Sequence, residues 1–159
     1  MAILVKLEGG PGGKAKQKGF EDHIECQHMS HGVAQQHSAV ELMKNRDDSD
    51  KEGGGVVYHQ EILLQKKVDA TSPQLLEACC KATTWDTATI KWAKNAASPK
   101  AWFEVTLTNV IVSNVTYSSD GIDEGMETFA LSYTKAVWTC SKGGNTTGQW
   151  DLMLEAVEA

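Results

Sequence analysis

The chain has 159 residues, 41% of them hydrophobic and 23% charged, with a formal net charge of −6. That length suffices for one domain around a substantial core without disulfides or metals, and the composition is that of a soluble globular protein. The acidic balance excludes a general nucleic-acid binder, which needs a basic face against phosphate, and no apolar run approaches the roughly 20 residues of a membrane span.

Residues 2–8 alternate as a first strand. No basic region precedes an apolar stretch there, so no signal peptide is expected and the folded protein starts in the cytoplasm. Gly9-Gly-Pro-Gly-Gly13 breaks the chain, and Lys14, Lys16 and Lys18 predict a solvated, flexible loop. A second strand is expected from Glu21 to His31. Val33 to Gly55 is polar and lacks periodicity, and a stretch of that length inside a compact domain is usually functional or disordered. The third strand is expected over 56–66. Asp69-Ala-Thr-Ser-Pro73 then punctuates the chain before a short helix over 73–82, with the Ser72 hydroxyl as cap and Pro73 at the first helical position. Further strands are expected at 86–94, 101–117, 126–139 and 147–157, separated by turns at Asn95–Pro99, Ser118–Gly121 and Ser141–Asn145. Long strands joined by short turns predict a mainly β fold, an antiparallel β-barrel of two packed sheets with one flanking short α-helix, in a single domain spanning 1–159. Closure removes exposed sheet edges. The absence of βαβ alternation disfavours a dinucleotide-binding fold.

The chemistry-bearing residues form no convincing site. Gly9 to Lys14 has the wrong spacing for a phosphate loop, Ala15 stands where a magnesium-binding hydroxyl belongs, and no helix follows. Cys26 and His28 are expected on one strand face with His31 on the other, so with His37 they do not converge on a metal. Ser30 beside His31, and Cys26 beside Gln27, are neighbours on opposite faces and cannot act together as nucleophile and base. Cys26, Cys79, Cys80 and Cys140 are expected as free thiols, since adjacent helical cysteines point about 100° apart. The tryptophans at 85, 92, 102, 138 and 150 read as barrel core or interface anchors. Asn114-Val-Thr116 and Asn145-Thr-Thr147 match a glycosylation pattern that is empty in a chain with no signal peptide. No catalytic residue, cofactor or metal is expected.

Several segments, in order, resemble the Hcp (haemolysin-coregulated protein) family, which forms the inner tube of the bacterial type VI secretion system. They are the strand Ile3–Leu7, the entry Gly19-Phe-Glu-Asp-His-Ile-Glu25, and Leu63-Leu-Gln-Lys-Lys-Val-Asp-Ala-Thr-Ser-Pro-Gln-Leu75 leading into the single helix. Phe103–Val115 and Glu124–Tyr133 are similar to the family's next two strands. Where members often carry Trp-Ser-Trp-Gly, this chain has Met29-Ser-His-Gly32, so two aromatic packing residues are missing while Ser30 and Gly32 keep their places.

The resemblance implies a barrel subunit that assembles into rings of six, stacked into a tube that a contractile sheath propels behind a tip spike. Small effector proteins ride in the lumen, and the protein leaves the cell without a signal peptide. It further implies that Ser30 sits in the slot associated with the luminal wall, and alternation puts His28 beside it on the same face. An acidic, polar wall would let cargo slide without sticking. The extended loop 33–55 would reach a neighbouring subunit or ring, with Gln36, Glu41, Lys44, Arg46, Asp47 and Asp50 as contact candidates. The expected partners are therefore further copies of the chain, the sheath and spike proteins, and small effectors, with no nucleic acid and no membrane insertion. The alternative reading is a barrel carrier for a small ligand, which requires an apolar internal cavity and a monomer or dimer.

Overall fold

A computed structural model of the chain describes residues 1–16, 18–35, 57–94 and 100–153. These fall into two compact units, one comprising residues 31–61 and one the remainder. The larger contains β1 (Ala2–Leu7), β2 (Ile24–Cys26), β3 (His28–Ser30), β6 (Ile62–Lys67) and β7 (Thr84–Ala93). It continues with β8 (Ala101–Ser118), β9 (Met126–Ser132), β10 (Lys135–Cys140) and β11 (Thr146–Asp151), and holds the one helix among the described residues, α1 (Ser72–Lys81). The smaller unit is a hairpin of β4 (Val33–Gln35) and β5 (Val57–His59), in which Val33 pairs with His59 and Gln35 with Val57. The start of the stretch read as lacking periodicity, Val33–Gln35, is therefore a strand, and its partner Val57–His59 is the first part of the strand expected over 56–66.

The larger unit closes on itself. Its strands run β1–β7–β8–β9–β6–β3 by antiparallel pairing, and β2 pairs back onto β1. Only Gln27 separates β2 from β3, and its N–H donates to the Gln65 carbonyl at 2.8 Å. The expected continuous strand 21–31 is thus two short ones hinged at Gln27, the first serving β1 and the second β6. The expected strand 126–139 is likewise divided at Tyr133–Thr134. Its halves track along different halves of β8, which pairs with β10 over 103–108 and with β9 over 111–118. The expected strand 56–66 divides at Gln60–Glu61, and the Gln60 N–H donates to the Gly32 carbonyl within the hairpin. The last strand stops at Asp151; the residues expected to extend it past 153 lie outside the described set.

At the hand-over on β8, Asn109 has φ +52° and interrupts the β7 ladder between the Thr87–Thr108 and Trp85–Val110 pairs. Asparagine tolerates this left-handed conformation better than most side chains, and its Nδ2 donates across to the Thr134 hydroxyl at 3.2 Å. Asn109→Val is expected to lower stability by about 1–2 kcal/mol, while Asn109→Gly stays close to the parent protein. Urea unfolding of the two variants side by side checks this, and equal midpoints would contradict it.

The interior is filled. Val5, Ile90, Leu107, Leu64, Phe129 and Leu131 are fully buried in one cluster, joined by Leu75 and Ala78 from the apolar side of α1. A second, smaller cluster covers the outside of β1, where Leu4 and Ala93 meet Ala15 and Phe20. The described residues 9–16 and 18–23 therefore form a packed cover with exposed lysines rather than the expected flexible loop. Gly13 donates to the Asp22 carbonyl and Ala15 to the His23 carbonyl, both at 3.1 Å.

Where the alternation of β6 and β9 predicts apolar residues, Lys66 and Glu127 face inward as cross-strand partners, both fully buried. The Lys66 ammonium donates to Asp69 Oδ1 at 2.9 Å, Ser72 Oγ at 3.1 Å and the Lys67 carbonyl at 3.3 Å, and lies 3.6 Å from Glu127 Oε1. Asp69 Oδ1 also accepts from the Thr71 N–H and hydroxyl, and Ser72 Oγ accepts from the Asp69 N–H. Burial pulls the Asp69 pKa up, but the hydrogen bonds from Thr71 and Lys66 outweigh it and hold the carboxyl below its ordinary value. Ser72 is thus not the helix cap. Thr71 occupies that position without a side-chain capping bond; its hydroxyl donates to Asp69, and the Ser72 hydroxyl is turned inward to the buried ammonium.

Candidate functional site

Ser30 and His28 stand on an exposed face of the barrel. Their strand alternates cleanly, with Met29 turned to the core and both neighbours outward. Cross-strand register extends the face into two rows. Ser30 lies beside Leu63, then Ala130, then Asn114; His28 lies beside Gln65, then Thr128, then Thr116. Neither row contains a carboxylate or an amine. These two rows are polar and uncharged, and the next outward residue of β6 beyond them is Lys67. Between the rows is a shallow depression of about 230 Å³, lined by His28, Ser30, Leu63, Leu64, Gln65 and Thr128.

Leu63 is the residue that sequence reading missed. It is 44% exposed at the centre of this face. Its signal was masked by the run Ile62-Leu63-Leu64, in which Ile62 and Leu64 are buried and the middle residue has the opposite phase. The missing aromatic at position 29 is compensated locally. The Trp92 indole N–H reaches Met29 Sδ at 3.3 Å, and Trp92 packs with Trp102 and Phe103 at ring separations of 5.5 and 4.8 Å.

The other candidates do not assemble. Cys26 is buried in the core while His28 is exposed. The hinge at Gln27 shifts the strand's phase, so the two do not share a face as expected. Burial pushes the Cys26 thiol up to about 12, which leaves it a poor nucleophile. Among the described residues no group of three or more His, Cys, Asp or Glu is arranged to hold a metal. The four cysteines are unpaired. Of the loop candidates, Gln36, Glu41, Lys44, Arg46, Asp47 and Asp50 lie outside the described residues, as does His37.

In the hairpin unit, burial, then the neighbouring His59, holds His31 below its usual pKa, and burial lowers His59 as well. A lowered histidine pKa means that the unfolded chain takes up the proton first. Hairpin stability is therefore full above about pH 6.5 and declines as pH falls below it. Amide exchange at 33–35 and 57–59, corrected for intrinsic rate, is expected to quicken between pH 7.5 and 5.5, and His59→Gln should weaken that dependence. A pH-independent hairpin would contradict the assignment.

The family model for the type VI secretion system effector Hcp matches residues 5–140 of the chain. The chain belongs to the Hcp family. Its fold agrees with solved Hcp structures. The crystal structure of Hcp1 from Salmonella typhimurium aligns with a TM-score of 0.78 at 21% identity, covering 99% of this chain and 98% of that one. Hcp1 from E. coli EAEC 042 aligns at 0.73 and 24% identity, covering 95% and 97%. Secreted protein Hcp3 from Pseudomonas aeruginosa aligns at 0.66 and 19%, covering 94% and 95%. No curated protein sequence matches the chain. At these identities the structural likeness carries the fold, while the family match carries membership. In this Hcp chain, among the described residues, no helix is long and apolar enough to cross a membrane.

Proposed function

We propose that this Hcp protein is a tube subunit, closing into six-membered rings whose lumen is lined by the face carrying Ser30, His28 and Leu63, and that small effector proteins travel against that face. The observation that carries the reading is the exposed stretch of sheet around Ser30, His28 and Leu63, whose two central rows hold no carboxylate or amine, on a barrel with an apolar core. A face of that kind suits passing protein cargo, which neither repulsion nor a fixed ion pair would arrest. Among the described residues, the inward side chains of β1, β6, β7, β8 and β9 pack into one apolar cluster, which favours a tube subunit over a small-molecule carrier. Ring closure requires heterologous contacts related by rotation, and loop residues Gln36 to Asp50 are proposed to reach the next subunit or ring. Sheath and spike contacts, and export without a signal peptide, belong to the same reading. No catalytic role is proposed.

Native mass spectrometry followed by negative-stain microscopy tests this. A six-subunit mass with open rings is expected; a species that remains monomeric at high concentration would overturn the reading. Deleting Gln36–Asp50 is expected to leave rings intact and abolish tube growth, and unchanged tubes would remove the loop from stacking.

A further inference from the structure

We infer that the depression at Leu63 selects a neutral, apolar side chain on the protein carried against this face, an inference that rests on the luminal reading above. A single exposed leucine is ordinary. Here its setting decides the matter. Leu63 has Ser30 and Ala130 as its register partners, both small, so it stands proud of its row beside a hollow of about 230 Å³, the size of one large side chain. In a chain with 23% charged residues, neither row around it offers a carboxylate or an amine. A partner's carboxylate or ammonium pressed into the hollow would lose hydration with no opposite charge in either row, and Lys67, the next outward residue on β6, is paired with Glu124. An apolar side chain loses nothing there and covers Leu63, while the Ser30 and Thr128 hydroxyls and the Gln65 amide satisfy polar groups beside it. Repeated around a ring, a weak subsite of this kind gains through multivalency, so each contact stays weak enough for release.

The test uses the full chain with leucine methyl groups labelled for NMR, at about pH 8. The probes are acetyl-Gly-Ser-Leu-Ser-Gly-amide and two analogues in which aspartate or lysine replaces the leucine. The leucine peptide is expected to shift the Leu63 methyl signals saturably, with the charged peptides at least tenfold weaker and no salt dependence for the leucine peptide. Leu63→Ser should weaken the leucine peptide at least fivefold. Thr128→Lys should admit the aspartate peptide in a salt-sensitive manner. Both sites are on the surface face, so neither variant depends on repacking the core. Charged peptides binding as well as the neutral one to the parent protein would overturn the inference, as would an affinity for the leucine peptide that falls with salt, or shifts confined to other leucines. Leu63 signals that move on assembly without peptide would also overturn it, since a second copy would then cover the hollow. The luminal reading is checked separately, by gold-labelling Ser30→Cys in a Cys80→Ser background. Label inside the ring opening supports it, and label on the outer rim refutes it whatever the peptides show.

Discussion

Lys66→Met is expected to lower the stability of the protein by about 3–5 kcal/mol, a fall on the order of 10 °C in melting temperature at fixed protein concentration. Both members of the Lys66–Glu127 pair are fully buried, and the Glu127 oxygens have no hydrogen-bond partner in the structure. The ammonium 3.6 Å away is the charge that compensates them. Removing it strands a buried carboxylate, and it also takes a donor from Asp69 and Ser72, loosening the entry to α1. The size of the effect comes from the unpaired charge rather than from the worth of the pair. Lys66→Met combined with Glu127→Leu is therefore expected to recover most of the loss. Urea unfolding of the two single variants and the double checks both statements. A double variant as unstable as the sum of the singles would show that the pair does not act as a unit.

Gly13→Ala is expected to cost about 2–4 kcal/mol, combining steric strain with the loss of the two backbone bonds that hold the segment. A β-carbon at Gly13 would lie 2.2 Å from the His23 carbonyl oxygen and 2.5 Å from Ile24 Cα, both backbone atoms with nowhere to go. The segment would lift, uncovering Leu4 and Phe20. Because Lys14, Lys16 and Lys18 are exposed on it, trypsin should cut the variant there much faster than the parent. Gly12→Ala is the control. Nothing lies within 4 Å of its added carbon, so it should change stability by less than about 0.5 kcal/mol. Equal trypsin resistance in both variants would show that the close approach at Gly13 is relieved cheaply.

Both results concern places where local pattern misleads. The glycine and lysine content of residues 9–18 reads as mobility, yet Ala15 and Phe20 close over Leu4. The alternation read over residues 2–8 points to one exposed face, whereas in β1 Ile3, Leu4 and Val5 are all buried, so the cover over Leu4 could not be deduced from it. Lys66 and Glu127 each continue the inward phase of an otherwise apolar strand, Ile62 and Leu64 on one and Phe129 and Leu131 on the other. That phase was legible, but not that the two charges meet, because pairing between strands more than 60 residues apart depends on register. The proposed wall divides in the same way. Ser30 and His28 emerge from the motif resemblance and the strand period. Leu63 and Thr128 join them only through the β3–β6–β9 ladders.

The sequence by itself determined the strand-rich class, the helix that follows Asp69–Pro73, the long strand at 101–117 and the resemblance to Hcp, because period-2 alternation, turn residues and motif order are local properties of the chain. Tertiary structure alone decided where long strands divide, how Gln27 lets one segment serve two neighbours to close the barrel, and which residues share the outer face. Those outcomes depend on hydrogen-bond register between distant segments. A shift of one residue in that register would exchange inward and outward side chains, turning Leu63 into the core and Leu64 onto the surface.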